Sequence, residues 1–253
     1  MSDSIQLSGD DRVATVTVTE PHSLGLFFLQ SLFKILTEKS DSCTRVLILA
    51  ASHPEALLAD VAALKAMGPS EASAFSALGQ KVCAAIEALP FPVIAAIDGL
   101  ALGGGCELTL ASDLVYASNR AQFGQIEVLG GVVPGFGGTW RLSRRVGDFK
   151  ARELLYTGAV LDAHAAKSAG LVTDVFDGAE LMARVGAVAA GIAKTAPLAV
   201  RAVKALALAN RDLPLQYSNA LERQAFAALF NTADQKEGMS AFLEKRPARF
   251  QGV

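Results

Sequence analysis

Cysteine, histidine, tryptophan and charge are all scarce in this 253-residue chain. Its three cysteines, Cys43, Cys83 and Cys106, are an odd number without metal-ligand spacing. They exclude a disulfide framework and predict a reducing, cytoplasmic setting. The three histidines, His22, His53 and His164, stand far apart with no Asp/Glu cluster beside them, so no metal site is expected. Charged residues make up 19%, below the roughly 25% of ordinary soluble domains. The net charge of -2 lacks the basic field of a nucleic-acid-binding domain. No apolar run reaches the roughly 18 residues of a membrane span. The opening Met-Ser-Asp-Ser-Ile-Gln has no basic stretch leading into an apolar one, which predicts no signal peptide.

Apolar residues, by contrast, make up 51%. A chain of this length and composition buries a large core unaided, and intrinsic disorder is excluded. So much apolar surface with so few charges predicts a face buried between subunits. The first half alternates strands and helices. Val13–Val18 is β-branched, and Val46–Ala50 and Pro92–Ile97 are continuous apolar runs of the doubly buried kind, with Leu114–Ala117 a fourth strand. Helices are expected at 24–37, 59–67, 70–89 and 105–111, which gives βαβ units and a mainly parallel sheet. After about Gly135 the pattern turns helical, at 138–146, 150–157, 163–169, 179–195, 198–210, 214–232 and 235–245. Only 172–176 there reads as a strand.

Ten of the 22 glycines fall between Gly99 and Gly138. Most lie in two clusters, Asp98-Gly-Leu-Ala-Leu-Gly-Gly-Gly-Cys-Glu107 and Leu129-Gly-Gly-Val-Val-Pro-Gly-Phe-Gly-Gly138. Tight turns in a packed domain explain them in part. The first cluster also joins a buried strand to a helix, where open α/β sheets bind ligands. A P-loop is excluded because Gly105 is followed by Cys106-Glu107. A dinucleotide fingerprint and a G-x-S-x-G elbow are also absent. What remains is a glycine loop opening a helix, whose free amides can hold an oxyanion.

Two carboxylates accompany the clusters. Glu107 is a first-turn residue favourable to the helix dipole, or a group aimed at a ligand. Glu127 lies in the apolar stretch Phe123-Gly-Gln-Ile-Glu127-Val-Leu-Gly. It is either an ion-paired surface residue or a buried acid, and a buried one should have a partner. Two carboxylates brought together would raise one pKa, as acid/base work requires. Cys106 adjoins the loop without a nearby histidine, which argues against a nucleophile. Arg141, Arg144 and Arg145 read as a solvated or interfacial face.

In these stretches the sequence resembles the enoyl-CoA hydratase/isomerase (crotonase) superfamily. The resemblance rests on Pro92-Val-Ile-Ala-Ala-Ile-Asp-Gly-Leu-Ala-Leu-Gly-Gly-Gly-Cys-Glu-Leu108, Ala121-Gln-Phe-Gly-Gln-Ile-Glu127, Pro134-Gly-Phe-Gly-Gly-Thr139 and Arg141-Leu-Ser-Arg144. Ala165–Val172 and Glu237–Arg246 extend it toward the C-terminus. It implies an α/β fold, a crotonase-like spiral of ββα turns over 1–195 carrying the acyl-CoA site. A C-terminal helical region over 196–253 would assemble a trimer or a dimer of trimers. It further implies reversible hydration of a 2-enoyl-CoA, with Glu107 and Glu127 as the acid/base pair and the amides of Ala59 and Gly104 as the oxyanion hole. Asp60, Val61, Ala62, Phe226 and Lys245 are the implied substrate and CoA contacts, Phe226 and Lys245 reaching a neighbouring subunit. Coenzyme A enters only as part of the substrate, with no metal or other cofactor, no nucleic acid and no membrane partner. The alternatives are isomerisation or another crotonase-type reaction, and a non-catalytic trimeric interaction protein. The chain departs from the family pattern at Leu58 (usually Gly), at Ala62 (lysine in some hydratases) and at Trp140 (usually Gln). It also departs in Glu20–Phe27, where the usual Arg and Asn are missing.

Overall fold

The computed structural model describes residues 4–40 and 42–253. Five parallel strands form the middle and far edge of its larger sheet: β2 (Val13–Val18), β3 (Val46–Ala51), β4 (Val93–Ile97), β6 (Leu114–Ser118) and β9 (Asp174–Phe176). β1 (Ile5–Gly9) adds antiparallel to β2 and completes the order β1-β2-β3-β4-β6-β9. The two continuous apolar runs are the central strands β3 and β4, and every residue of β4 is buried. β1 escaped sequence reading because Ile5-Gln-Leu-Ser-Gly carries only two large apolar residues and stands at an edge.

The sheet is covered on both faces. On one side Val46, Ile48, Ala50, Ile94 and Ala96 meet Leu181, Val185 and Ala189 of helix α8 (Gly178–Ala193). On the other, Leu47, Leu49, Val93 and Ala95 pack with helices α1 (Leu26–Ser40) and α3 (Pro69–Ala88) and with α4 (Gly104–Ala111). This two-sided covering is the reason the strands read as unbroken apolar runs rather than alternating ones.

A second sheet of three three-residue strands joins β5 (Leu100–Leu102), β7 (Gln122–Gly124) and β8 (Val160–Asp162). β4 and β6 each hand the chain to it within a few residues. None of these short strands has enough length for a two-residue period to show, so the sequence did not reveal them. Two expected elements are shorter than their patterns suggested. Helix α2 (Val61–Ala66) starts two residues later than expected, because the Asp60 side chain accepts from the Ala62 and Ala63 amides and caps it. The strand expected from 172 begins at Asp174.

Helices α5 (Gly138–Val146), α6 (Asp148–Thr157) and α7 (Ala163–Ser168) precede β9. After α8 come α9 (Pro197–Ala209), α10 (Leu215–Leu229) and α11 (Ala233–Leu243). Neither apolar core contains a residue beyond Ala193. α9 is tied down by polar contacts instead. The buried Lys204 Nζ donates to the carbonyls of Ile86 and Phe91 and to Asp113 at 2.7 Å. α10 has no buried residue at all.

Candidate active site

Gly103, at φ 55°, caps α4, and a glycine cap has no side chain to fold back onto the helix amides. The three glycines at this point admit three different neighbours. A Cβ on Gly103 would lie 3.2 Å from Glu127 Oε1, one on Gly104 would meet the Phe136 ring at 2.8 Å, and one on Gly105 would strike the Leu57 carbonyl at 2.1 Å. The glycine cluster therefore brings the turn before α2, the Glu127 turn and the loop before α5 onto one helix end.

The amides of Gly104 and Ala59 have no acceptor among the described residues. Planar peptides fix where each points. The Gly103 carbonyl accepts from the Glu107 N–H at 3.0 Å down the helix, so the Gly104 N–H faces out of its N-terminus. The Leu58 carbonyl accepts from the Leu24 N–H at 3.1 Å, which turns the Ala59 N–H to the opposite side. The atypical Leu58 has thus not left its peptide free to rotate. Leu24, bridged to Ala59, has its Cδ2 3.2 Å from the Gly104 Cβ position, so the two segments adjoin.

Glu107 is buried, and its Oε1 accepts from the amides of Phe136 at 2.7 Å and Gly138 at 2.6 Å. Both of these bonds fall on Oε1, and the Gly135 amide is also turned to the carboxylate. Burial raises its pKa, while the Gly138 and Phe136 amides and the Arg141 charge hold it down. Glu127 begins a 3-10 turn, Glu127–Gly130, and neither of its buried carboxylate oxygens is hydrogen-bonded to another described residue. The expectation that a buried Glu127 would have a partner is overturned. Burial, and the negative charge of Glu107, push it up to about 7, with its own backbone amide opposing. The two carboxyls sense each other across the start of α4 although they are far apart in sequence.

Other expectations fare differently. The Cys106 thiol is buried and pushed up to about 12, mainly by desolvation, which removes it as a nucleophile. Arg141 is not part of a solvated face: it is buried against Glu87. Arg145 is turned inward toward the Ser112 carbonyl, and Arg144 pairs with Asp212. Asp60 is the cap of α2, and Val61 and Ala62 are exposed on it. Phe226 is exposed on α10 and Lys245 follows α11 at φ 55°; none of the contacts around the glutamates involves either. Gln125 was not singled out from sequence. Its amide is fully buried beside Gly138, with the Cys106 thiol as its polar neighbour, and neither amide atom has a full hydrogen bond among the described residues. A glutamine two residues before Glu127 gives no pattern that marks it.

This fold is that of a known family. The Enoyl-CoA hydratase/isomerase family model matches residues 9–253, and the chain belongs to that family. It is 40% identical over 254 residues to the crotonyl-CoA hydratase of Syntrophomonas wolfei, covering 98% of each chain. To the short-chain-enoyl-CoA hydratase of Clostridium acetobutylicum it is 38% identical, covering 96% of this chain and 95% of that one. The crystal structure of an enoyl-CoA hydratase from Bacillus anthracis superposes with a TM-score of 0.95 at 33% identity, covering 99% of this chain and all of that one.

Proposed function

We propose that this chain is an enoyl-CoA hydratase, a hydro-lyase that reversibly adds water across the 2,3 double bond of a 2-enoyl-CoA thioester. Relatives matched over nearly their whole length carry the names crotonyl-CoA and short-chain-enoyl-CoA hydratase, which favours a short acyl group. The observation that carries the chemistry is the unequal preparation of two neighbouring glutamates. One oxygen of Glu107 is fixed by two amides, and the other orients a water and takes its proton as oxygen attacks C3. Glu127, unpartnered and raised to about 7, then delivers a proton to C2. The thioester oxygen, which gains charge in between, rests on the Gly104 and Ala59 amides. The reaction so written uses no metal or redox cofactor, and coenzyme A is part of the substrate.

The test is loss of the conjugated-thioester absorbance of crotonyl-CoA on incubation with the protein. No loss at micromolar enzyme rejects the hydratase reading. Hydration needs ionised Glu107 with protonated Glu127, and dehydration needs the reverse. Both states carry one proton on the pair, so one bell-shaped profile serves both directions. A pKa raised to about 7 means that the working proton is present below that pH and lost above it. We expect kcat/KM in either direction to fall toward tenfold per pH unit above about 7. A flat profile to pH 9 contradicts this assignment.

For the chain's organisation we propose a crotonase-like ββα spiral core over 1–195 and a helical region over 196–253 that assembles a trimer or a dimer of trimers. Neither apolar core extends past Ala193, and α10 and α11 leave Leu215, Phe226, Phe242 and Leu243 exposed. In such an assembly Phe226 and Lys245 reach the CoA of a neighbouring subunit. Asp60, Val61 and Ala62 line this chain's own site. Light scattering is expected to give three or six chain masses, and a monomer mass at micromolar concentration rejects the assembly. No described helix is long and apolar enough to cross a membrane, and a cytoplasmic setting is part of the same proposal.

A further inference from the structure

The anchor of Glu107 does not end at the two amides. The Phe136 peptide that donates to Glu107 Oε1 through its N–H also accepts, through its carbonyl, from Arg141 Nη1 at 2.7 Å. Arg141 is 4% exposed, and its remaining fork grips Glu87 of α3, with Nη2–Oε2 at 2.7 Å and Nε–Oε1 at 3.2 Å. Glu87 is in turn held from outside by Arg211, which follows α9, at 3.2 Å. Asp212 beside it pairs with Arg144 at 2.5 Å. Trp140, the chain's one tryptophan, has the guanidiniums of Arg141 and Arg144 at 4.2 and 4.8 Å from its ring centre. Gly137, at φ 102°, leaves the room for this arrangement, since a Cβ there would lie 2.3 Å from Arg141 Nη1. A guanidinium satisfied by a carboxylate on one side and a peptide carbonyl on the other fixes both in orientation, which a lysine point charge does not.

We propose that Arg141 is a positioning residue for Glu107: through the Phe136 peptide it sets the carboxylate that orients water, with Glu87 and Arg211 setting Arg141 in turn. The inference rests on the role given to Glu107 above. It also links the turn after α9 to the catalytic cleft. The charged and titratable groups that bear on Glu107 are Glu127 from its turn, Cys83 from α3, Cys106 on its own helix and Arg141 from α5. Among these only Arg141 is positive, so its removal moves the Glu107 titration upward in pH.

The experiment compares Arg141→Gln, Arg141→Lys and Arg144→Gln with the wild type. One readout is kcat and KM for crotonyl-CoA across pH. The other is the pH titration of the Phe136 and Gly138 amide proton shifts in the free protein, with Glu107→Gln as the assignment control. Arg141→Gln is expected to lower kcat about 10–100-fold with KM within about twofold, the size of loss from a misplaced catalytic group. It should also raise the pH at which both amides titrate. Arg141→Lys should restore that titration more fully than kcat, because it keeps the charge and loses the fork. Arg144→Gln also loses a guanidinium from Trp140 but does not touch Phe136, and it should leave both readouts unchanged. If Arg141→Gln retains wild-type kcat and amide titration, Arg141 is only structural, whatever its melting temperature, and the proposal is overturned. Where Arg141→Gln does not fold, Glu87→Gln carries the same expectations at smaller size, and wild-type behaviour there has the same consequence. If the wild type does not hydrate crotonyl-CoA, the hydratase reading fails while the amide titrations still decide whether Arg141 sets Glu107.

Discussion

Replacing Glu107 or Glu127 with Gln should lower kcat by about 10²–10⁴-fold while leaving the protein folded. The Glu107→Gln amide oxygen can still accept from the Phe136 and Gly138 amides, so the anchor survives and only the ability to take a proton is lost. Glu127→Gln loses the proton donor, and it should in addition stabilise the protein at alkaline pH. The native carboxyl titrates at about 7 rather than the usual 4.5. The folded state therefore holds a proton that the unfolded chain releases, and stability falls as pH rises from about 4.5 through 7. Two to three pKa units would be about 3 kcal/mol, and partial access of water to the group reduces this to roughly 1–2 kcal/mol. Denaturant melts at pH 5 and pH 8 measure it. A Glu127→Gln variant that is fully active, or that is less stable than wild type at pH 8, contradicts the unpartnered-acid assignment.

Ala59→Pro should cost at least about 10²–10³-fold in kcat, because proline removes one oxyanion donor and sets its ring carbon where that hydrogen pointed. The Leu58 carbonyl that pairs with the Leu24 N–H at 3.1 Å is retained, so the segment keeps its tie to Leu24. The matching far-UV spectrum and melting temperature are the controls, since the residue before a proline must be extended. Wild-type kcat in a folded Ala59→Pro protein would show that this amide does not hold the thioester oxygen. Leu58→Gly asks the companion question. With the Ala59 peptide already oriented by Leu24, this variant is expected to gain nothing in kcat/KM for crotonyl-CoA. A gain would mean that Leu58 compromises the native loop.

Much of the molecule was legible in the sequence. The apolar runs at 46–50 and 92–97 marked the central strands, because a strand covered on both faces cannot alternate. The crowding of glycines between Gly99 and Gly138 marked the places where other chain segments meet the start of α4. Glu107 stood out by following that cluster, and Glu127 by being a charge in an apolar stretch. The three-residue strands of the second sheet stayed hidden, since period and propensity need length to accumulate. Tertiary structure alone decided how the two glutamates differ. Glu107 is anchored by amides 29 and 31 residues away, and Glu127 faces no donor from another described residue. Nothing local to either residue encodes that contrast. The same holds for Arg141, which the sequence placed on a solvated or interfacial face. Its burial depends on Glu87, 54 residues earlier, meeting it across packed helices. Composition and period determine what must be buried, but a hydrogen-bond partner is set by where distant backbone segments come to rest.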